Sequence, residues 1–502
     1  MARNNNLGDF LKDVADAIRE KTNASGLINP QDFPERIAAI ETGGSGEQPE
    51  GTHTVQFIDV DGTILKTQYV ADGGAATPPP NPTREKCEFV KWLNAYSNVT
   101  KDTEVFALYK SADGSTWYKV KAAANDRMNL CIKCDSASPV TIDWGDGSTD
   151  TATNRSAYIV FRHDYSAAFE GWVKVSSEGN YRPSTADEGN PCVKEVIVGD
   201  NVGTVGSVAR EMTNLTAIVI PETVAAYEGR PFRHCVSLVS LALPDGATTI
   251  STDIHSAMLE LRYVRLPNTF TAVSPNLLGS CYGLQSVTIP DGVTSIGANA
   301  FQNCYSLQSV TIPDGVTSIG AYAFQYCSIA VFTASLSDIP PTAQMFKDCR
   351  RLGGPLSLTT SDVIPYGAFS GTGITSLYSN TLRITRTAQE GAFANCFALT
   401  RVELPDVTDI ASGTFYGCTA LALAIIGADV TNIGATVFQN CTALARLVVK
   451  AATPPTLASN TLQGCSALAA IYVPDASVEA YKTATNWAAK ADIIKPLSEF
   501  VE

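Results

Sequence analysis

The sequence predicts a mainly β, multidomain chain: short helices at the N-terminus, strand-rich modules after them, then a long repeat solenoid ending in a helical cap. Three observations carry this prediction. The stretch "LQSVTIPDGVTSIGANAFQNCYS" from Leu284 returns almost unchanged as "LQSVTIPDGVTSIGAYAFQYCSI" from Leu307, a period of 23 residues; such self-similarity marks stacked units that share a core. Nine of the thirteen cysteines keep the same time, at Cys235, Cys281, Cys304, Cys327, Cys349, Cys396, Cys418, Cys441 and Cys465. Met258 and Thr372 occupy the rungs this ladder skips, and Met212 continues it upstream. Between Thr54 and Lys110 the chain holds strand-like runs and the proline stretch "TPPPNPTRE", with no amphipathic helix.

Residues 1–41 read as a helical anchor. Leu7, Phe10, Leu11, Val14 and Ile18 fall at helical spacing and give one apolar stripe. A second short helix starts at Asn29, with Pro30 at its first position, and runs through Ile37 and Ile40. Residues 42–51, within "ETGGSGEQPEG", read as a flexible tether. In residues 52–110, "VQFIDVDGTILKTQYV" is a hairpin in which Asp61 and Gly62 supply the turn. The continuation, from "GGAATPPPNPTRE" to "VFALYK", resembles the internalin-type B-repeat; the resemblance implies a small β-grasp module with Phe89, Trp92, Phe106 and Tyr109 as packing residues. Residues 111–190 contain "PVTIDWGDGSTDTATN", "FRHDY" and "GWVKVSSEGNY", which resemble the polycystic-kidney-disease-type (PKD-like) module and imply a β-sandwich.

From residue 191 to 474 the L-x-x-V-x-I-P period belongs to leucine-rich-repeat solenoids. In the unit from Leu284, the residues expected inward are Leu284, Val287, Ile289, Val293, Ile296, Ala300, Phe301 and Cys304. Val287 and Ile289 alternate as in a strand, and Pro290-Asp291-Gly292 turns the chain out of it. With a strand spacing near 4.8 Å, a dozen units span roughly 60 Å. The pattern IP-x-x-V-x-x-I-x-x-x-A-F-x-x-C-x-x-L resembles the BspA-like leucine-rich repeat. In residues 475–502, Val478, Tyr481 and Trp487 are expected on one side of a helix that caps the last rung.

Catalytic chemistry finds little support. Asp-x-Asp-Gly-Thr at Asp59 resembles the first motif of haloacid-dehalogenase-type phosphatases, with Asp59 as nucleophile and Asp61 as acid/base. That fold needs crossover helices of a dozen or more residues, and the surrounding sequence holds none. "GDGSTD" at 145–150 mimics a magnesium motif but sits in the hairpin of the PKD-like resemblance, where it is structural. Cys131-x-x-Cys134 has no second pair at zinc spacing and reads as strand. The four histidines, His53, His163, His234 and His255, stand near no nucleophile in a recognisable catalytic order. The repeat cysteines read as buried reduced thiols. The expectation is a non-enzyme with no cofactor and no metal.

The net charge of −14 argues against a nucleic-acid partner, and no run of eighteen apolar residues predicts membrane insertion. The order of helical stripe, tether, β-modules and repeats resembles virion appendage and tail proteins of phages that infect gut bacteria. It implies a tail fibre or similar appendage, joined to other virion proteins by its N-terminus and presenting the solenoid to a bacterial surface receptor, protein or glycan. A BspA-like bacterial adhesin, the competing expectation, would carry an export signal and a sorting or outer-membrane tail. The expected location is therefore the virion, with release by lysis. The apolar stripe suits a homo-oligomer, as in trimeric fibres, and equally suits docking on another virion protein. Receptor contacts are expected on the outward strand face at Tyr263, Arg265, Tyr378, Arg401, Glu403, Arg446 and Tyr472, since aromatics and arginine favour binding hot spots.

Overall fold

The computed structural model describes residues 48–134, 137–153, 157–184, 190–250, 258–332, 341–358, 363–379, 383–384 and 391–501. The expected N-terminal helices, with Leu7, Phe10, Leu11, Val14 and Ile18, lie outside the described residues. The chain divides into two compact units, one running to Arg84 and including Phe89–Ala107, the other comprising Glu85–Glu88 and Leu108–Glu502. Among the described residues no helix is long and apolar enough to cross a membrane.

In the first unit the hairpin forms as expected. Thr52–Ile58 pairs antiparallel with Ile64–Ala71, and the turn is closed by the Asp59 amide on the Thr63 carbonyl (2.9 Å) and the Gly62 amide on the Asp59 carbonyl (2.9 Å). Gly62 sits at φ +85°, a conformation that favours glycine. Residues 103–106 then add parallel to the first strand. Val55, Phe57, Val70, Val99 and Val105 form the small core, with Trp92 packed edge-on against Phe57 at 5.1 Å.

The second unit begins with two facing sheets. Thr116–Ala122 alternates buried and solvated residues, so Tyr118 and Val120 enter the core while Trp117, Lys119 and Lys121 point out. The larger sheet runs in the order Thr149–Ala152, Val140–Asp143, Phe169–Ser176, Thr116–Ala122, Val193–Ile197, Ala217–Val219. The smaller pairs Ile159–Asp164 and Tyr181–Ser184 on either side of Arg127–Cys134. Val193–Ile197 is antiparallel to Thr116–Ala122 on one edge and parallel to Ala217–Val219 on the other. One strand thus ends the antiparallel layers and starts the solenoid.

The solenoid makes about twelve turns. All eight residues expected inward in the unit from Leu284 are buried. Among the described residues, successive turns pair strands in parallel along one side, as with Tyr263–Arg265 beside Ser286–Thr288, and two-residue strands along a second, as with Ser295–Ile296 beside Ser318–Ile319. The third side carries the Ala-Phe-x-x-Cys segment. There Phe301, Phe324, Phe346, Phe369, Phe393, Phe415 and Phe438 stack face to face, neighbouring centroids 5.3 to 5.9 Å apart. Each such pair adds about 1 kcal/mol beyond area burial.

The cysteine ladder has a hydrogen-bonding reason. The thiol of Cys304 donates to the Leu278 carbonyl (3.2 Å), Cys327 to Phe301 (3.1 Å), Cys418 to Phe393 (3.2 Å) and Cys441 to Phe415 (3.1 Å). The Leu278, Phe301 and Phe415 carbonyls also accept a backbone amide of their own turn, so the thiol adds a second, weak hydrogen bond that ties one turn to the next. Where the ladder skips, the Thr372 hydroxyl donates within its own turn, to the Phe369 carbonyl (2.8 Å) that the Cys396 thiol also reaches (3.2 Å). All thirteen cysteines are free thiols.

The cap departs from a single helix. An α-helix covers Val478–Thr483, and Ala484 then turns extended (φ −69°, ψ 148°). Trp487 therefore lies beyond the break, tied by its indole N–H to the Pro455 carbonyl (2.8 Å) and packed edge-on against Tyr481 at 5.0 Å. Asn486 takes a left-handed conformation and donates to the Leu457 carbonyl (2.6 Å). These anchors to the last turn outweigh helix continuation. Ile494–Pro496 then adds a last strand to the ladder, pairing parallel with Ala470–Val473.

Candidate functional site

The outward strand face is built most regularly in the C-terminal half. Seven parallel strands, Gly353–Leu358, Gly373–Ser379, Arg401–Leu404, Leu423–Ile426, Arg446–Val449, Ala470–Val473 and Ile494–Pro496, form one sheet. Their register aligns two outward columns. One runs Ser376, Arg401, Leu423, Arg446, Ala470; the other runs Tyr378, Glu403, Ile425, Val448, Tyr472, Lys495, and of these Leu423, Val448 and Ala470 are covered. The intervening Leu377, Val402, Ala424 and Leu447 are buried in the core, as alternation on a strand requires.

Three of the expected contact residues are open here. Tyr378 is 42% exposed and registers beside Glu403. Arg401 and Glu403, two apart on one strand, project from the same face. The Arg401 Nε donates to Glu403 Oε1 at 2.6 Å, and the same carboxylate also meets the Arg401 terminal nitrogen. Half-solvated, this pair contributes little stability.

Arg446 and Tyr472 are engaged from within the chain. The Arg446 guanidinium donates to the Val501 carbonyl (2.9 Å) and lies 5.7 Å from the Phe500 ring, which also contacts Tyr472 at 5.1 Å. Phe500 and Val501 were not anticipated as part of this face. The signal available was the apolar pair closing "KPLSEFVE", which a cap reading alone does not aim at the strand surface.

Tyr263 and Arg265 require correction. Tyr263 is 9% exposed and Arg265 is fully buried, so neither offers an open contact surface. Arg265 donates to both oxygens of Asp245 (2.7 and 2.9 Å) and to the Leu243 carbonyl (2.6 Å). The adjacent Ser240, in register with Tyr263, is buried as well. The outward face at this level is covered, and the arginine is a structural clamp between turns.

Exposed aromatics occur instead on the turn after the cysteine rung. Tyr282 and Tyr305 stack 5.3 Å apart, with Tyr305 52% exposed. The sequence signal was an aromatic directly after cysteine in "CYGL" and "CYSL".

The motifs with a catalytic look are occupied by local bonds. Arg84 reaches both Asp59 and Asp61 at 3.3 Å. Burial pushes the Asp61 carboxyl up, but hydrogen bonds from Thr63 and the Arg84 guanidinium outweigh it and hold the group below its usual value. In the "GDGSTD" hairpin, Asp146 accepts from the Ser148 amide (3.0 Å) and hydroxyl (2.6 Å) and pairs with His163 Nε2 at 2.8 Å. Trp144 stacks on His163 at 4.7 Å and donates to Asp150 (2.9 Å). Cys131 and Cys134 lie buried on one strand, with Cys134 donating to the Ala152 carbonyl (3.3 Å). Among the described residues no group of three or more His, Cys, Asp or Glu side chains could hold a metal ion.

A parallel β-solenoid with an outward strand surface defines a repeat-scaffold protein. Residues 203–330, 273–388 and 386–485 match the BspA type leucine rich repeat region, in six copies. These matches span more than half of the chain, and the chain belongs to that family. Solved structures similar to it include a leucine-rich repeat protein from Bacteroides ovatus, 19% identical, covering 61% of this chain and 84% of that one, with a TM-score of 0.44. Another is a leucine rich cell surface protein from Faecalibacterium prausnitzii, 20% identical, covering 59% of this chain and 91% of that one, with a TM-score of 0.36. No curated relative matches the sequence.

Proposed function

We propose that this chain is a non-enzymatic, adhesin-like attachment protein whose solenoid holds an outward strand face against a bacterial surface receptor, protein or glycan. The observation that carries the reading is the open part of the seven-stranded sheet, where Tyr378, Arg401 and Glu403 share neighbouring register positions. Repeat scaffolds expose long surfaces of this kind. The test is adsorption of the full chain to a panel of gut-bacterial cells. Binding by the wild-type chain, lost on Tyr378→Ala with Arg401→Ala at unchanged melting temperature, is the expected result. Retained binding would move the receptor contact elsewhere.

The finer reading is a fibre or similar appendage of a phage virion, anchored by residues 1–41. Its support is the order of elements along the sequence: a helical stripe on Leu7, Phe10, Leu11, Val14 and Ile18, a glycine-rich tether, modules resembling the internalin B-repeat and the PKD-like sandwich, then repeats. The stripe would join either other copies of the chain or another virion protein. Detection in purified virions, with a truncation of residues 1–41 that fails to assemble, is the expected outcome. Absence from virions with presence on bacterial cell surfaces would replace this reading by a bacterial adhesin.

The non-enzymatic part is supported by Arg84, which occupies the two aspartates that a phosphatase would need for nucleophile and proton transfer. Phosphatase activity above background in magnesium, abolished by Asp59→Asn, would sink it.

A further inference from the structure

The cap closes a cleft of about 440 Å³ against the last turn, between Leu457–Gln463 and Asn486–Lys490, a size within the range of small-ligand sites. Its hydrogen-bonding groups are unevenly committed. The side-chain oxygen of Asn460 accepts from the Thr436 amide (3.3 Å), and that of Gln463 accepts from the Gln439 side chain (2.9 Å). Both oxygens are thus used inside the solenoid, and both amide N–H₂ groups are left for the cleft. Asn486 is the complement: its nitrogen is spent on the Leu457 carbonyl, and its oxygen remains as an acceptor. Lys490 is half-buried, and among the described residues no carboxylate lies within ion-pair distance of it. The floor is the buried apolar side chain of Leu462.

A cation, two amide donors, one amide acceptor and an apolar floor suit a ligand with one carboxylate, several hydroxyls and a C–H face. We propose that this cleft binds an acidic sugar unit, a hexuronic acid, with its carboxylate on Lys490, its hydroxyls on Asn460, Gln463 and Asn486, and its ring over Leu462. This site is separate from the strand face, and the inference stands whether or not that face meets a receptor.

The test is calorimetric titration of the full chain with glucuronate and galacturonate, against glucose, acetate and inorganic phosphate. Hexuronates should bind about tenfold or more tightly than glucose or acetate, the difference expected for one charge-assisted hydrogen bond in addition to the hydroxyl contacts. Lys490→Met should remove that preference at unchanged melting temperature, and Lys490→Arg should keep most of it. Ser459→Trp, which fills the cleft with an indole, should abolish binding independently. Equal affinity for glucuronate and glucose, an unaffected Lys490→Met variant, or phosphate binding more tightly than either hexuronate would each overturn the assignment.

Discussion

At the residue before each cysteine rung the backbone turns left-handed: φ is 62° at Asn303, 58° at Asn395 and 63° at Asn440, and 70°, 71° and 77° at Gly371, Gly417 and Gly464. The turn aims the amide at the next rung, as with the Asn395 amide on the Tyr416 carbonyl (2.7 Å). From Asp348 onward the position alternates between Asp or Asn and Gly. A Cβ added at Gly417 would stand 2.4 Å from Asn395 Oδ1, and one at Gly464 2.5 Å from Asn440 Oδ1. Gly417→Ala should therefore cost about 2 kcal/mol, part backbone strain and part clash. In a double-mutant cycle with Asn395→Gly, only the strain should remain, and additive losses would show that the side-chain clash is not what selects glycine. Arg265 gives the second residue-scale expectation. Asp245→Ala leaves a buried guanidinium with its main acidic partner gone, and should destabilise by about 3 kcal/mol in chemical denaturation. A loss under about 1 kcal/mol would place Asp245 among ordinary surface ion pairs. The alternation Tyr263-Val264-Arg265 told which side chains leave the core; it carried no information on what covers them. Asp245, twenty residues earlier, becomes Arg265's partner only once the turns stack.

Among the elements, those held by period were legible and those held by tertiary anchoring were not. Leu284 to Cys304 entered the core where repetition placed them, because each inward position is dictated by the neighbouring turn's identical shape. The cap escaped the same logic. Tyr481 lies on the helix as its spacing predicted, but Trp487 and Asn486 bond to Pro455 and Leu457 on the turn below, contacts that no local pattern encodes. The Trp144–Ser148 hairpin is legible as a unit and yields a pH expectation. Hydrogen bonds from Ser148, followed by His163, hold the Asp146 carboxyl below its usual value. A depressed carboxylate contributes stability that is fully present above its unfolded pKa, near 3.9, and is lost as pH falls through the lower folded value. Asp146→Asn should lower stability at pH 7 and flatten its decline below about pH 4. An acid-unfolding curve that keeps the wild-type slope would remove Asp146 from the account.

For the molecule as a whole, the decisive feature is that one apolar core runs without a break from Tyr118 in the antiparallel layers to Ile494 in the cap. Val193–Ile197 is the reason, since it belongs to the sheet on one edge and to the first turns on the other. Neither half can lose that strand without exposing an unpaired ladder, so the two should open together. The thiols report this directly. Cys87 is half-buried, and the other twelve cysteines are buried. Burial pushes the Cys349 and Cys441 thiols up to about 12, so at pH 8 they are protonated as well as inaccessible, and thiolate is the reactive form. In the native full chain a thiol reagent at pH 8 should therefore modify Cys87 first. With rising denaturant, Cys131 and Cys134 in the antiparallel layers should become reactive at the same concentration as Cys235 and Cys281 in the first turns. Mass-spectrometric mapping of the labelled peptides gives the order. Release of the layer cysteines well before those of the first turns would mean that the shared strand does not couple them, and that the solenoid folds on a nucleus of its own.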